Sequence, residues 1–406
     1  MAVSFRHAEL GNGLTVIGEV DREAHTASAG FFVRTGARDE PGELMGVSHF
    51  LEHMMFKGTE RRTADDVNRE FDEMGADYNA YTSGEMTCFY ATTIPEAHGR
   101  ALELLSDILR PALREADFES ERGVILEEIA MYRDQPFWNL YETAMERHFG
   151  AHPLSHRVLG TEETVGAMSA AQMRGYFGDR YSADNTVLAV AGDVDFDWLV
   201  EEAERHCGGW ARTGAGRDAG RPEVGGGDFE LREDGVSRAY QLLVADGPSM
   251  TEEDRYAAAM LLRVLGESDN SRLHWALVES GLAEEAQAAY EPGDGYGMMF
   301  VFTASDPERA GEVWSVVERE IGSVVSSVDE SDLERLRNKS VTQATLAGER
   351  PSGRMQRIGR DWLYRGEHRT LERELESIGA VTLDDLRLVH ERYPFMPRTV
   401  GRMLPA

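Results

Sequence analysis

Hydrophobic positions along the chain switch between a period of two and a period near 3.6, and the switches mark its elements. "MAVSFRHAELGNGLTVIGEV" reads as a strand, a turn at "GNG" and a second strand. "TASAGFFVRTGA" is a third, rich in β-branched and aromatic residues. Residues 41–56 carry a helical pattern. Thr63 is placed to cap a helix through Met74, with Asp66 at the capping-box position. "DYNAYTSGEMTCFYATT" alternates like a half-buried strand interrupted at Gly84. "PEAHGRALELLSDILR" has Pro95 at a helix start and a helical stripe. Helical periodicity then runs from about Glu115 to Phe149, broken at Pro136, and "NTVLAVAGDVD" is a buried strand.

Between Trp210 and Asp228 lies "WARTGAGRDAGRPEVGGGD", dense in glycine and without apolar periodicity. Its composition predicts a flexible linker over 211–228, separating a domain at 1–210 from one at 229–406. After it the element order recurs. "SRAYQLLVADG" is a strand, "EEDRYAAAMLLRVLGE" a helix, "YGMMFVFTAS" a strand and "PERAGEVWSVVEREIGSVV" a helix, with helix-rich segments following to residue 390. Two halves of similar length and order predict a structural duplication. The counterpart helix at 252–267 has no histidine and no ligand pattern, so chemistry is expected in the first half alone.

A chain of 406 residues is too long for one core and divides into domains. The formal net charge of −31 argues against a nucleic-acid backbone or an anionic lipid surface as partner. Only Lys57 and Lys339 are lysines, so the charge reads as a solvated acidic surface with an arginine-biased composition. Cys88 and Cys207 form no CxxC pair, which points to a reducing compartment. No secretory pattern opens the chain, and no apolar run approaches the ~18 residues of a membrane span. The expectation is a soluble cytoplasmic protein with no membrane partner.

The candidate chemistry lies in "VSHFLEHMMFKGT", residues 47–59. A helix places residues i and i+4 on one face with Cβ atoms about 5–6 Å apart, so His49 and His53 point the same way. Both can bind one ion, and Glu52, three residues past His49, shares their face. This is the inverted form, H-x-x-E-H, of the zinc-protease helix. The alternative is an ordinary amphipathic helix. Val47, Phe50, Leu51, Met54 and Met55 weigh against it, because burying an ionisable trio among apolar side chains is unfavourable unless it is paired or bound to metal. A catalytic site needs a third ligand, and "ESERGVILEEIAMYRDQP" offers candidates. Glu121 and Glu128 are two helical turns apart and share a face, while Glu127 is rotated about 100° from Glu128.

With these residues assembled, the sequence resembles the pitrilysin-type inverted zinc peptidases, which include the mitochondrial processing peptidases and many bacterial homologues. The resemblance rests on "HFLEHMMFKGT", "NAYTSGEMTCFYAT", "ERGVILEEIAMYRDQP", "HPLSHRVLGTEETV" and "RYSADNTVLAVAGDVD", which cover most of residues 12–195 in order. Residues 230–390 match more loosely, through "NSRLHWALVESGLA". The resemblance implies that His49, His53 and Glu128 bind zinc, that Glu52 is the general base, and that Glu121 supports the site without being a ligand. It places Asn79 and Ala80 on an edge strand that pairs with an extended substrate, and Phe56 in the pocket just past the scissile bond. His152 and His156 lie in a matched stretch and read as structural.

The implied fold is α+β, with two homologous domains, each a mostly antiparallel sheet with helices packed on one face. The implied activity is zinc-dependent endopeptidase action on peptides or small unfolded proteins. Two such chains would close around a chamber, as a homodimer or as a heterodimer with a non-catalytic homologue. The competing reading is a catalytically weak peptide-binding or assembly subunit. Two departures from the family pattern bear on that choice. Leu277 and Glu284 stand where larger members carry an Arg and a Tyr that position substrate. Trp138 and Glu142 stand where the processing peptidases carry acidic residues reading a substrate arginine.

Overall fold

The computed structural model describes residues 3–217, 220–267 and 269–406. Strands β1 (Ser4–Glu9), β2 (Thr15–Val20), β3 (Ala27–Val33), β4 (Asp77–Thr82), β5 (Thr87–Thr93) and β6 (Thr186–Gly192) form one sheet in the order β1-β2-β6-β3-β5-β4. Its neighbours are antiparallel except β2 and β6. Strands β7 (Gly227–Glu233), β8 (Ala239–Gly247), β9 (Glu285–Pro292), β10 (Gly297–Ser305) and β11 (Arg398–Pro405) form a second, ordered β7-β11-β8-β10-β9. Here too one pair is parallel, β7 with β11. The second order is the first with β1 removed, strand for strand and in the same chain sequence. The recurrence of elements is therefore a true duplication of an α+β domain.

The two compact units are not the contiguous stretches 1–210 and 229–406. Segment Leu346–Arg369 belongs to the first unit and Met131–Ser155 to the second. The physical reason lies in the sheets, which are apolar on both faces. The main core of the first sheet is filled by α1 (Val47–Met55), α2 (Ala64–Glu73), α3 (His98–Ile108) and α4 (Glu115–Arg133). On its other face Ile17, Phe32, Val187 and Ala189 are covered by Met355, Ile358 and Leu363 of the helix Pro351–Arg365. Glycine is required at that contact. A Cβ on Gly359 would lie 2.2 Å from the Phe32 ring. In the second unit, Leu140, Ala144 and Met145 of α5 (Pro136–Phe149) cover Leu242, Val244, Phe300 and Met403. Both covering helices open with proline at their first turn, directly after a long helix. Proline ends the preceding helix and starts the next at no hydrogen-bond loss.

Three local expectations change. Residues 41–56 are not one helix, because Gly46 adopts φ +94 and a Cβ there would meet the Leu159 carbonyl oxygen at 2.5 Å. "DYNAYTSGEMTCFYATT" is not one interrupted strand but a hairpin, with Asp77 opposite Thr92 and Thr82 opposite Thr87. The stretch 211–228 is partly anchored. Arg217 is 3% exposed in its side chain, pairs with Asp39 and donates from Nε to Asp39 Oδ1 at 2.9 Å, and β7 begins at Gly227. Positions 218 and 219 of that stretch lie outside the described residues. The capping box at Thr63 and Asp66 forms as its spacing predicts.

Candidate metal centre

Helix α1 starts without a side-chain cap, since its N-cap is Gly46. Glu40 supplies the missing acceptors. Its two carboxylate oxygens accept the N–H groups of Gly46 and Ser48, each at 2.7 Å. Burial pushes its pKa up to about 8 against those hydrogen bonds. Val47, Phe50, Leu51, Met54 and Met55 are all buried and fix one face of α1 to the core. The i, i+3, i+4 spacing then turns His49, Glu52 and His53 together onto the opposite face.

Helix α4 buries Phe118, Glu121 and Ile125, one side of the helix. Phe118 stacks on Phe50 with ring centroids 4.7 Å apart and planes 11° apart, which docks α4 against α1. Glu121 and Glu128 consequently face the histidines, and Glu127 is exposed. This rotation puts Glu128, and not Glu127, on the side of α4 that faces the histidines.

Glu128 Oε2 lies 3.7 Å from His49 Nε2 and 3.8 Å from His53 Nε2. Ligand atoms of His49, His53 and Glu128 all fall within 4.8 Å of one another. These separations exceed hydrogen-bond length yet leave all three atoms within reach of a single ion. His53 Nδ1 contacts Glu121 Oε1 at 2.9 Å, a contact that suits Nδ1–H as donor to the carboxylate and turns Nε2 toward Glu128. Lys57 pairs with the other Glu121 oxygen. His49 is held neutral, with burial first and then His53 lowering its pKa to about 3. Two imidazoles and a carboxylate are a donor set suited to zinc. His49 Nδ1 has no hydrogen-bond partner among the described residues, so packing alone orients that ring. Burial raises the pKa of Glu52, while the Thr82 hydroxyl, donating to Glu52 Oε2 at 2.7 Å, opposes the rise.

Asn79 and Ala80 lie on β4, the last strand in the sheet order, whose only neighbour among the described residues is β5. The Ala80 N–H is met by Asn79 Oδ1 at 2.9 Å. Phe56 is half-buried, with ring centroids 6.2 Å from Tyr78 and 6.3 Å from Phe89. His156 Nδ1 donates to the Ala37 carbonyl at 3.0 Å, and His152 Nδ1 accepts the Leu154 N–H at 3.2 Å. Leu277 is buried in the second unit's core, and Glu284 is exposed and paired with Arg238. Trp138 packs edge-on against Tyr132 and Tyr141. Sequence reasoning missed Glu40, Lys57 and Thr82. For Lys57 a signal existed, since it is one of two lysines and follows His53 by four residues. For Glu40 none did, because its partners include the backbone N–H groups of Gly46 and Ser48, which carry no residue signature.

Two family models match the chain, Insulinase (Peptidase family M16) over residues 15–162 and Peptidase M16 inactive domain over residues 167–340. The chain belongs to peptidase family M16. Among M16 relatives, an uncharacterized zinc protease of Mycobacterium bovis is 34% identical over 397 residues, covering 96% of this chain and 90% of that protein. One of Bacillus subtilis is 28% identical over 376 residues, covering 92% and 91%. The fold is shared with a protease from Helicobacter pylori, at TM-score 0.92 and 20% identity over 99% of this chain and 100% of that one. It is also shared with a peptidase M16 inactive domain from Pseudomonas fluorescens, at TM-score 0.93 and 16% identity over 100% and 99%. The His49–Glu52–His53 helix and Glu128 fall within the first M16 match. No helix among the described residues is long and apolar enough to cross a membrane.

Proposed function

We propose that this M16 chain is a zinc-dependent metalloendopeptidase that hydrolyses peptides or small unfolded proteins. The observation that carries the reading is the convergence of His49, His53 and Glu128 beside Glu52. His49, His53 and Glu128 would hold the metal. When bound, zinc polarises a carbonyl oxygen and makes water acidic near neutral pH. Glu52 accepts a proton from the attacking water and returns it to the leaving amine. Glu121 orients His53 through Nδ1 and touches no reactant.

The free edge of β4 suits an extended peptide, since main-chain hydrogen bonds hold a substrate regardless of its sequence. The Ala80 N–H that would join such a ladder is already met by the Asn79 side chain, so Asn79 has to swing aside or contact the peptide itself. Phe56, half-buried beside Tyr78, lines the pocket beyond the scissile bond. We further propose a cytoplasmic homodimer enclosing a chamber that admits peptides and excludes folded proteins. Two free buried cysteines agree with a reducing compartment. A heterodimer with a non-catalytic homologue is the second reading, favoured by the apolar Leu277 where larger relatives position substrate.

The test joins metal analysis of the purified protein to cleavage of a mixed peptide library. Glu52→Gln is expected to retain zinc and lose turnover, and a chelator is expected to stop the parent enzyme. Cleavage by the glutamine variant at the parental rate would remove Glu52 from the role of base. A zinc-loaded parent that cleaves no library member would leave the peptide-binding subunit as the better reading.

A further inference from the structure

We infer that Thr82 is a positioning residue for the peptidase reaction: its hydroxyl holds one oxygen of the Glu52 carboxylate and leaves the other free to take the proton of water. The inference rests on the reading of Glu52 as general base.

Three observations support it. First, the contact is short and directional, with Thr82 Oγ1 donating to Glu52 Oε2 at 2.7 Å. Among the described residues no side chain but Thr82 hydrogen-bonds the Glu52 carboxylate, which also has the Thr82 backbone N–H as a partner that every substitution at 82 but proline keeps. The terminal torsion of a glutamate is broad and two-fold, so an untethered carboxylate would sample many orientations. Second, threonine presents the hydroxyl rigidly. Its β-branched χ1 is stiff, and it closes β4 opposite Thr87. Third, the hairpin turn that follows is clamped. Ala37 and Arg38 donate N–H groups to the carbonyls of Ser83 and Gly84 at 3.2 and 2.8 Å. Arg38 and Glu85 form a buried ion pair at 2.6 Å, and Tyr364 donates to Glu85 at 3.0 Å. A Cβ on Gly36 would lie 2.3 Å from Ser83 O, so the clamp tolerates no side chain there.

Ala80 and Thr82 lie two residues apart on one face of β4. The strand offered to the peptide thus also carries the group that aims the base. A general base gains its effect from alignment with the proton it removes, so loss of the tether should appear in turnover rather than in binding.

The experiment compares zinc-loaded Thr82→Val, Thr82→Ala and Thr82→Ser with parent and Glu52→Gln. The readouts are kcat and KM on one fluorogenic peptide chosen from the library, zinc content, and thermal midpoint. Valine and alanine are expected to lower kcat about tenfold or more, the scale of one lost hydrogen bond to a charged group, with KM and zinc unchanged. Serine is expected to stay within about threefold of parent, because it keeps the hydroxyl. If the valine variant does not fold, the serine and alanine pair carries the same comparison. Parental kcat in the hydroxyl-free variants overturns the inference, and so does serine as impaired as alanine. Glu52→Gln separates the two claims. A fully active glutamine variant removes the base itself, whereas an inactive one beside a fully active valine variant removes only Thr82.

Discussion

His53 and Glu121 are joined through Nδ1 and Oε1 at 2.9 Å, a contact made across 68 residues of sequence by the docking of α4 on α1. It assigns the two glutamates of one helix face to different work. Glu128 points at both Nε2 atoms, and Glu121 points at the back of one ring and is tied down by Lys57.

Glu121→Ala is therefore expected to weaken zinc affinity by about 10–100-fold without abolishing it, the usual effect of removing a carboxylate behind a ligating histidine. Glu121→Gln keeps an acceptor for Nδ1–H and should lose less. Competition against a chelator of known affinity measures both. Equal affinity in parent and alanine variant would show that packing alone orients His53, as it does His49.

The two adjacent glutamates of α4 give a sharper contrast. Glu128→Gln removes the anionic donor and is expected to strip the purified protein of zinc. Glu127→Gln changes an exposed residue and should leave metal content and turnover as in the parent. Elemental analysis of both proteins, purified side by side, decides the matter. A zinc-free Glu127 variant would mean that α4 is rotated by one residue from the arrangement described.

Much of this site was legible before any coordinates. The apolar stripe of α1 dictates which side its two histidines and Glu52 occupy, and seven-residue spacing dictates that Glu121 and Glu128 share a face. Local periodicity carries such information because each helix obeys it alone. The hairpin β4–β5 was not legible as two strands, since apolar alternation continues through Ser83 and Gly84 and only pairing reveals the reversal. The exchange of Met131–Ser155 and Leu346–Arg369 was hidden as well. Pro136 and Pro351 announce a break in the helical run, but which sheet the next helix covers depends on contacts far away in sequence. Strands β7 and β11 escaped for the same reason, being defined by each other.

The helix Pro351–Arg365 supplies a stability prediction. Gly359 lies against Phe32, which is fully buried, and a Cβ there meets ring carbons at 2.2–2.5 Å. Gly359→Ala would gain helix propensity at an exposed site, but here overpacking wins. The expected loss is about 1–3 kcal/mol, the usual range for forcing a methyl into a filled core. Urea unfolding of parent and variant tests this, with an unchanged or raised midpoint counting against the tight contact. Phe32→Leu should recover part of the loss if the clash is with the ring.

The last prediction concerns acid. His98, the first residue of α3, is 2% exposed, and neither ring nitrogen has a hydrogen-bond partner among the described residues. Burial lowers its pKa to about 4. The folded chain therefore keeps His98 neutral where the unfolded chain, with an ordinary histidine near 6.5, has already taken up a proton. Between those values the unfolded state binds more protons, so stability falls as pH falls. The contribution is fully present above about 6.5, is lost progressively down to about 4, and amounts to about 3 kcal/mol over the window. His98→Leu cannot be protonated and should flatten that part of the profile. Unfolding free energies of parent and variant at pH 7.5 and 4.5 provide the measurement. Carboxylates titrate alike in both proteins, so their effect cancels in the difference, and parallel profiles would mean that His98 gains a partner or reaches water.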